Sequence, residues 1–111
     1  MKDLNMVNLT GNLTRDVELR CTPSGESVAT FGIAVNRSFR NKDGEYEADF
    51  VDCVVWKKLA ELCSEYLAKG SKVLVSGRLQ TRNYETPEGQ RRKVWEVVAE
   101  DIKFLSKKQE D

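Results

Sequence analysis

Along Val28–Val35, VATFGIAV, large apolar residues alternate with small ones. Phe31, Ile33 and Val35 fall on one side, and Thr30, Gly32 and Ala34 on the other. A period of two predicts a half-buried strand, and the small residues leave room for another surface to come close to its second face. Four more segments read as strands. MVNLTGNL (Met6–Leu13) opens the chain, with Gly11 marking a bend or bulge. DFVDCVVW (Asp49–Trp56), KVLVSGRLQ (Lys72–Gln80) and KVWEVVAEDIKFL (Lys93–Leu105) are rich in β-branched and aromatic residues. The period changes once. In KKLAELCSEYLAKG (Lys57–Gly70), Leu59, Leu62, Cys63, Tyr66 and Leu67 recur at helical spacing, which predicts one apolar stripe with a charged back. Gly70 suits the left-handed residue that ends a helix.

Turn residues punctuate the pattern. Pro23–Gly25 separates the first two strands and Lys42–Gly44 the second from the third. Pro87–Gly89 joins the last two into a hairpin with arms Gly77–Tyr84 and Gln90–Val98. The order is strand, strand, strand, helix, strand, strand. It predicts an all-β chain, an OB-fold five-stranded Greek-key barrel with one helix between strands three and four and a long hairpin between strands four and five. Phe31, Ile33, Val35, Leu59, Leu62, Tyr66, Leu67, Val73 and Val75 are the expected core.

A chain of 111 residues makes one domain. Residues 1–106 are expected to form the barrel, and 107–111 a short disordered remnant. No apolar run reaches the length of a membrane span, and MKDLNMVNLTGNL lacks the apolar stretch of a signal peptide. The expectation is a cytoplasmic protein with no membrane partner. Cys21, Cys53 and Cys63 are odd in number and widely spaced, and histidine is absent. That pattern argues against a disulfide framework or a zinc site, so Cys53 and Cys63 are expected in the core and no cofactor or metal is expected. No phosphate-binding glycine loop and no nucleophile with its base is recognisable, so an enzyme is not expected.

The net charge is +0, so the chain supplies no global basic field. Local placement changes that picture. Between Arg78 and Lys93 stand five basic residues (Arg78, Arg82, Arg91, Arg92, Lys93) and two acidic ones (Glu85, Glu88), around a turn that carries Tyr84. NRSFRNKDG (Asn36–Gly44) repeats the combination, with Phe39 between Arg37 and Arg40. Guanidinium groups meet phosphates and an aromatic face accepts an unpaired base, which is what holding single-stranded nucleic acid needs. Phe39 lies in a polar stretch with no apolar neighbour in sequence, and Tyr84 is flanked by Asn83 and Glu85. Phe50 and Trp56 share one strand face with Asp52 and Val54, and Trp95 alternates with Val94 and Glu96. From pattern alone those three serve equally as packing.

Longer motifs carry a resemblance. Met6–Asn41, with GNLTRDVELR, TPSG and VATFGIAVNR, and Asp49–Gln90, DFVDCVVWKKLAELCSEYLAKGSKVLVSGRLQTRNYETPEGQ, resemble the bacterial single-stranded DNA-binding proteins over roughly residues 4 to 105. The resemblance implies a homotetrameric OB-fold, associated with the nucleoid, that wraps single-stranded DNA without sequence preference in replication, recombination and repair. It implies stacking on Phe39, Phe50, Trp56 and Tyr84. It implies phosphate contacts at Arg37, Arg40, Lys58, Lys69, Lys72, Arg78, Arg82 and Arg92. Phe39, Phe50 and Tyr84 stand where some members carry Trp, and Asp52 where some carry a basic residue. Family members usually continue past the KKQED position into a flexible tail with an acidic tip that recruits replication and repair proteins. Such partners are expected only where that tail is present. The rival expectation is an OB-fold module, such as a replication-restart accessory protein, whose surface meets other proteins.

Overall fold

The computed structural model describes residues 2–106; the expected C-terminal remnant, 107–111, lies outside them. The elements are β1 (Val7–Leu13), β2 (Glu18–Cys21), β3 (Ser27–Arg40), β4 (Tyr46–Trp56), α1 (Lys57–Tyr66), β5 (Lys72–Glu85) and β6 (Arg91–Phe104). They form one sheet in the order β1-β5-β6-β4-β3-β2, and a second pairing of β1 with β3 closes five of the strands into a barrel. Neighbours run antiparallel except at the seam between β4 and β6, where Cys53 faces Val97 and Val54 faces Val98 in parallel. β2 hangs outside the barrel as the edge partner of β3.

The closure depends on one glycine. β1 pairs with β5 from Val7 to Asn12 and reaches β3 at Asn12 and Leu13. A Cβ on Gly11 would lie 2.6 Å from the carbonyl oxygen of Ala34. Only a residue without a side chain lets the two backbones come that close.

The core follows the alternation. Phe31, Ile33, Val55, Val73, Val75 and Val97 are fully buried inside the barrel, joined by Ala60, Cys63 and Leu67 from the helical segment. Val35 and Leu59 pack partly buried against this cluster. Burial pushes the Cys53 and Cys63 thiols up to about 12, so both are protonated at neutral pH.

Three expectations need correction. β2 did not register as a strand because its four residues are all exposed and carry no alternation. The Pro23–Gly25 turn therefore joins β2 to β3, not the first barrel strand to the second. The helix stops at Tyr66, where Leu67 turns extended while its N–H still bonds to the Cys63 carbonyl. Gly70 is left-handed (φ 92°) but serves the next connection, donating its N–H to Leu13. Tyr66, expected in the core, is 49% exposed; the buried stripe runs through Ala60, Cys63 and Leu67 instead, and the Tyr66 ring rests near Phe104 at 6.3 Å. Among the described residues no helix is long and apolar enough to cross a membrane.

Candidate nucleic-acid interface

Strand register decides which side chains share the outside of the barrel. On β3 and β4 the opposed pairs Val28–Trp56, Thr30–Val54, Gly32–Asp52 and Ala34–Phe50 lie on the face away from Phe31 and Ile33. The parallel pair Val54–Val98 carries that face onto β6. From there Val98–Arg78, Glu96–Gln80, Val94–Arg82 and Arg92–Tyr84 carry it onto β5. One outer surface thus gathers Phe50, Trp56 and Tyr84 with Arg78, Arg82 and Arg92.

The rings on this surface are left open. Phe50 is 76% exposed, Trp56 42% and Tyr84 45%, while Phe39, near the end of β3, is 84% exposed. An apolar ring in water forgoes roughly 1.5–3 kcal/mol of burial. Several such rings beside cations form a surface suited to a flat aromatic ligand.

A pit of about 180 Å³ opens among them, lined by Arg15, Thr30, Asp52, Cys53, Arg82, Val94 and Glu96. Arg15 was not among the expected site residues. It reaches the site because Gly32 opposite Asp52 has no side chain: a Cβ there would meet Arg15 Nη1 at 2.6 Å. The Arg15 guanidinium lies 3.9 Å from Asp52. Across the pit, Arg82 Nε donates to Glu96 Oε1 at 2.5 Å. Glu96 is only 6% exposed, a buried carboxylate. Toward the hairpin tip a second recess of about 310 Å³ is lined by Asn83, Tyr84, Glu85 and Arg91.

The end of β3, the start of β4 and the turn between them form a separate wall. Arg37 engages all three guanidinium nitrogens within it: Nε and Nη2 donate to the two carboxylate oxygens of Asp49 at 3.2 and 2.8 Å, and Nη1 donates to Glu47 at 2.9 Å. The hydrogen bond from Arg37 holds the Asp49 carboxyl below its usual range, and the same bond raises Arg37. Arg40 sits over the ring of Tyr46 at 5.2 Å, a cation–π contact between directly opposed residues. Tyr46 was absent from the sequence expectation. Its signal was available, an aromatic two residues past Gly44 and level with Arg40. The turn is fixed by Asn41, whose side-chain oxygen accepts from the N–H groups of Asp43 and Glu45.

The remaining cations are dispersed. Arg92 donates to Gln90 at 2.7 Å and Arg78 to Gln80 at 3.2 Å. Lys58 is exposed in the first turn of α1, just past Trp56. Lys69 and Lys72 stand at the far end of β5 from Tyr84, roughly 40 Å of strand contour away. Trp95 lies on the reverse face of β6, paired with Thr81 and capped by Lys93 at 5.9 Å. Among the described residues no cluster of metal-ligating side chains occurs.

A closed five-stranded barrel with a helix between its third and fourth barrel strands is the OB-fold, and its open, ring-studded outer face is that of a ligand-binding member of that class. The comparison with known proteins agrees. Residues 4–105 match the model of the single-strand binding protein family, and the chain belongs to that family. It is 57% identical over 106 residues to single-stranded DNA-binding protein 3 of Listeria innocua, covering 96% of this chain and 66% of that protein. It is 57% identical over 105 residues to single-stranded DNA-binding protein A of Bacillus subtilis, covering 95% and 61%. With single-stranded DNA-binding protein 1 of Streptococcus pyogenes it shares 53% over 105 residues, covering 95% and 81%. The chain therefore spans less than two thirds of the length of the first two.

Proposed function

We propose that this chain binds and protects single-stranded DNA without sequence preference, in replication, recombination and repair. The observation that carries the reading is the shared outer face on which Phe50, Trp56 and Tyr84 stand exposed among Arg78, Arg82 and Arg92. Every base has a π-face, so stacking tolerates any sequence, and each stack contributes roughly 1–3 kcal/mol. Phosphate contacts add a term that salt weakens, about 0.7 in log K per contact per decade of salt. Phe39 and Arg40 extend the stacking path along the end of β3. Lys58, Lys69 and Lys72 mark a longer track around the barrel.

The reading is of a binding protein and not an enzyme. It is supported by two buried thiols held protonated and by a sequence without histidine. We place it in the cytoplasm with the nucleoid. We also propose a homotetramer, with β1 as one contact. Among the described residues, β1 meets β3 only at Asn12 and Leu13, so its edge from Val7 to Gly11 offers unpaired backbone groups beside exposed Leu4 and Met6. Replication and repair proteins join as partners where a longer chain supplies an acidic tail.

The test is a titration with oligothymidine of varied length at two salt concentrations, followed by tryptophan fluorescence and mobility shift. Quenching that saturates at a fixed number of nucleotides per subunit is expected. The absence of both quenching and a shifted band would overturn the reading, and a monomer in sedimentation at micromolar concentration would overturn the tetramer.

A further inference from the structure

The buried carboxylate of Glu96 has no evident place in a surface that binds a polyanion. A charge of that sign in the groove repels phosphate, and a charge that deeply buried is costly unless it is paired. Its hydrogen-bonding partner is Arg82, through Nε at 2.5 Å. Among the described residues neither Nη group of Arg82 donates a hydrogen bond, and the arginine side chain is 56% exposed. The pair is thus lopsided, with one end sealed against the barrel and the other open to the groove.

That asymmetry fixes what Arg82 can do. If a phosphate drew the whole guanidinium away, Glu96 would be left buried and unpaired, which costs more than a surface contact returns. Arg82 must therefore stay on Glu96 and use its outer edge. Holding Nε pins the plane of the guanidinium and aims both Nη groups outward, a preorganised fork for two phosphate oxygens. Register supplies the rest: Glu96 is opposite Gln80 and Arg82 is opposite Val94, so the bond runs diagonally across β5 and β6 and braces the base of the hairpin that carries Tyr84.

We propose that Glu96 is a positioning residue for nucleic-acid binding, anchoring Arg82 by Nε so that its Nη edge meets a backbone phosphate. The proposal rests on the single-stranded DNA reading and adds a negative group as a contributor to binding an anion. Simple electrostatics assigns the opposite sign, since removing a carboxylate from the groove should then strengthen binding.

The experiment measures oligothymidine affinity across a salt series for wild type, Glu96→Leu, Glu96→Gln and Arg82→Lys. Leucine keeps the bulk beside Val94 and Val98 and removes the acceptor. It is expected to weaken binding on the order of tenfold and to flatten the salt slope by about 0.7, one phosphate contact. Glutamine keeps an acceptor for Nε and is expected to restore most of that loss. Lysine keeps the charge but has no separate Nε edge, so it is expected to bind like Glu96→Leu. A merely structural role lowers the melting temperature and leaves the slope alone. Tighter binding by Glu96→Leu or Glu96→Gln, or a wild-type slope in Arg82→Lys, overturns the proposal. The lysine variant decides the matter even if Glu96→Leu does not fold. Failure of wild type itself to bind oligothymidine refutes the parent reading instead, so the two failures are distinguishable.

Discussion

Arg37 and Arg82 are both surface arginines paired with carboxylates, yet their pairs differ in kind. Arg37 commits Nε and both Nη groups to Asp49 and Glu47, all of them on solvent-exposed side chains. Arg82 commits only Nε, to a carboxylate that is largely buried. The first is a clamp across β3 and β4 in which every guanidinium nitrogen already donates to a carboxylate, leaving two of the five N–H donors uncommitted and a phosphate in competition with Asp49 and Glu47. The second is an anchor that leaves a free edge. The two side chains thus differ in uncommitted N–H donors, two of five on Arg37 against four of five on Arg82.

The largest expected effect sits beside the anchor. Tyr84→Ala should weaken oligothymidine binding by roughly 1–3 kcal/mol, about five- to 150-fold, with an unchanged salt slope; a changed slope would show that the ring had been holding a cation in place. Next, Arg82→Ala with Arg92→Ala should flatten the slope by about 1.4, two contacts' worth on single strands. Arg37→Met should leave that slope within error of wild type, and a loss equal to that of Arg82→Ala would erase the distinction between clamp and anchor. Smaller still is an optical difference: Trp95→Phe should preserve the quenching on DNA binding and Trp56→Phe should remove it, since the two rings occupy opposite faces.

The weakest effect concerns acid. Asp49 is held below its ordinary range by the Arg37 hydrogen bond, so the clamp's contribution to stability is present above the ordinary aspartate pKa. It is lost as pH falls through the lowered folded value. The melting-temperature gap between wild type and Arg37→Met should close over that interval. Both partners are exposed, so the gap should be small, and a gap that persisted at the acid end would mean that Arg37 stabilises through packing.

Alternation and helical spacing located every barrel strand and the helix, because burial imposes a period that side-chain chemistry records directly. They missed β2, whose four exposed residues have nothing to alternate against. They also put Tyr66 inside, where the helix end turns it toward solvent. For the site, the exposure of Phe39 and Tyr84 was legible because an aromatic among charges has no core to join, whereas pattern alone did not separate Phe50 and Trp56 from packing residues. Arg15 and Glu96 were not legible: Arg15 owes its place to a missing side chain on a strand seventeen positions away (Gly32), and Glu96 sits in a strand where alternation says only which side it faces. The division between clamp and anchor depends on cross-strand geometry that no linear spacing encodes.

The placement of the cysteines has a practical consequence. Cys21 lies exposed on the outermost strand, while Cys53 and Cys63 are buried and protonated. The folded chain thus presents a single thiol to a maleimide reagent, on an edge strand away from the ring-bearing face. In the proposed tetramer each subunit would carry one dye without any engineered residue. Stepwise photobleaching of a labelled assembly then counts its subunits one molecule at a time, and energy transfer to a dye on the oligonucleotide follows the path of the strand around it.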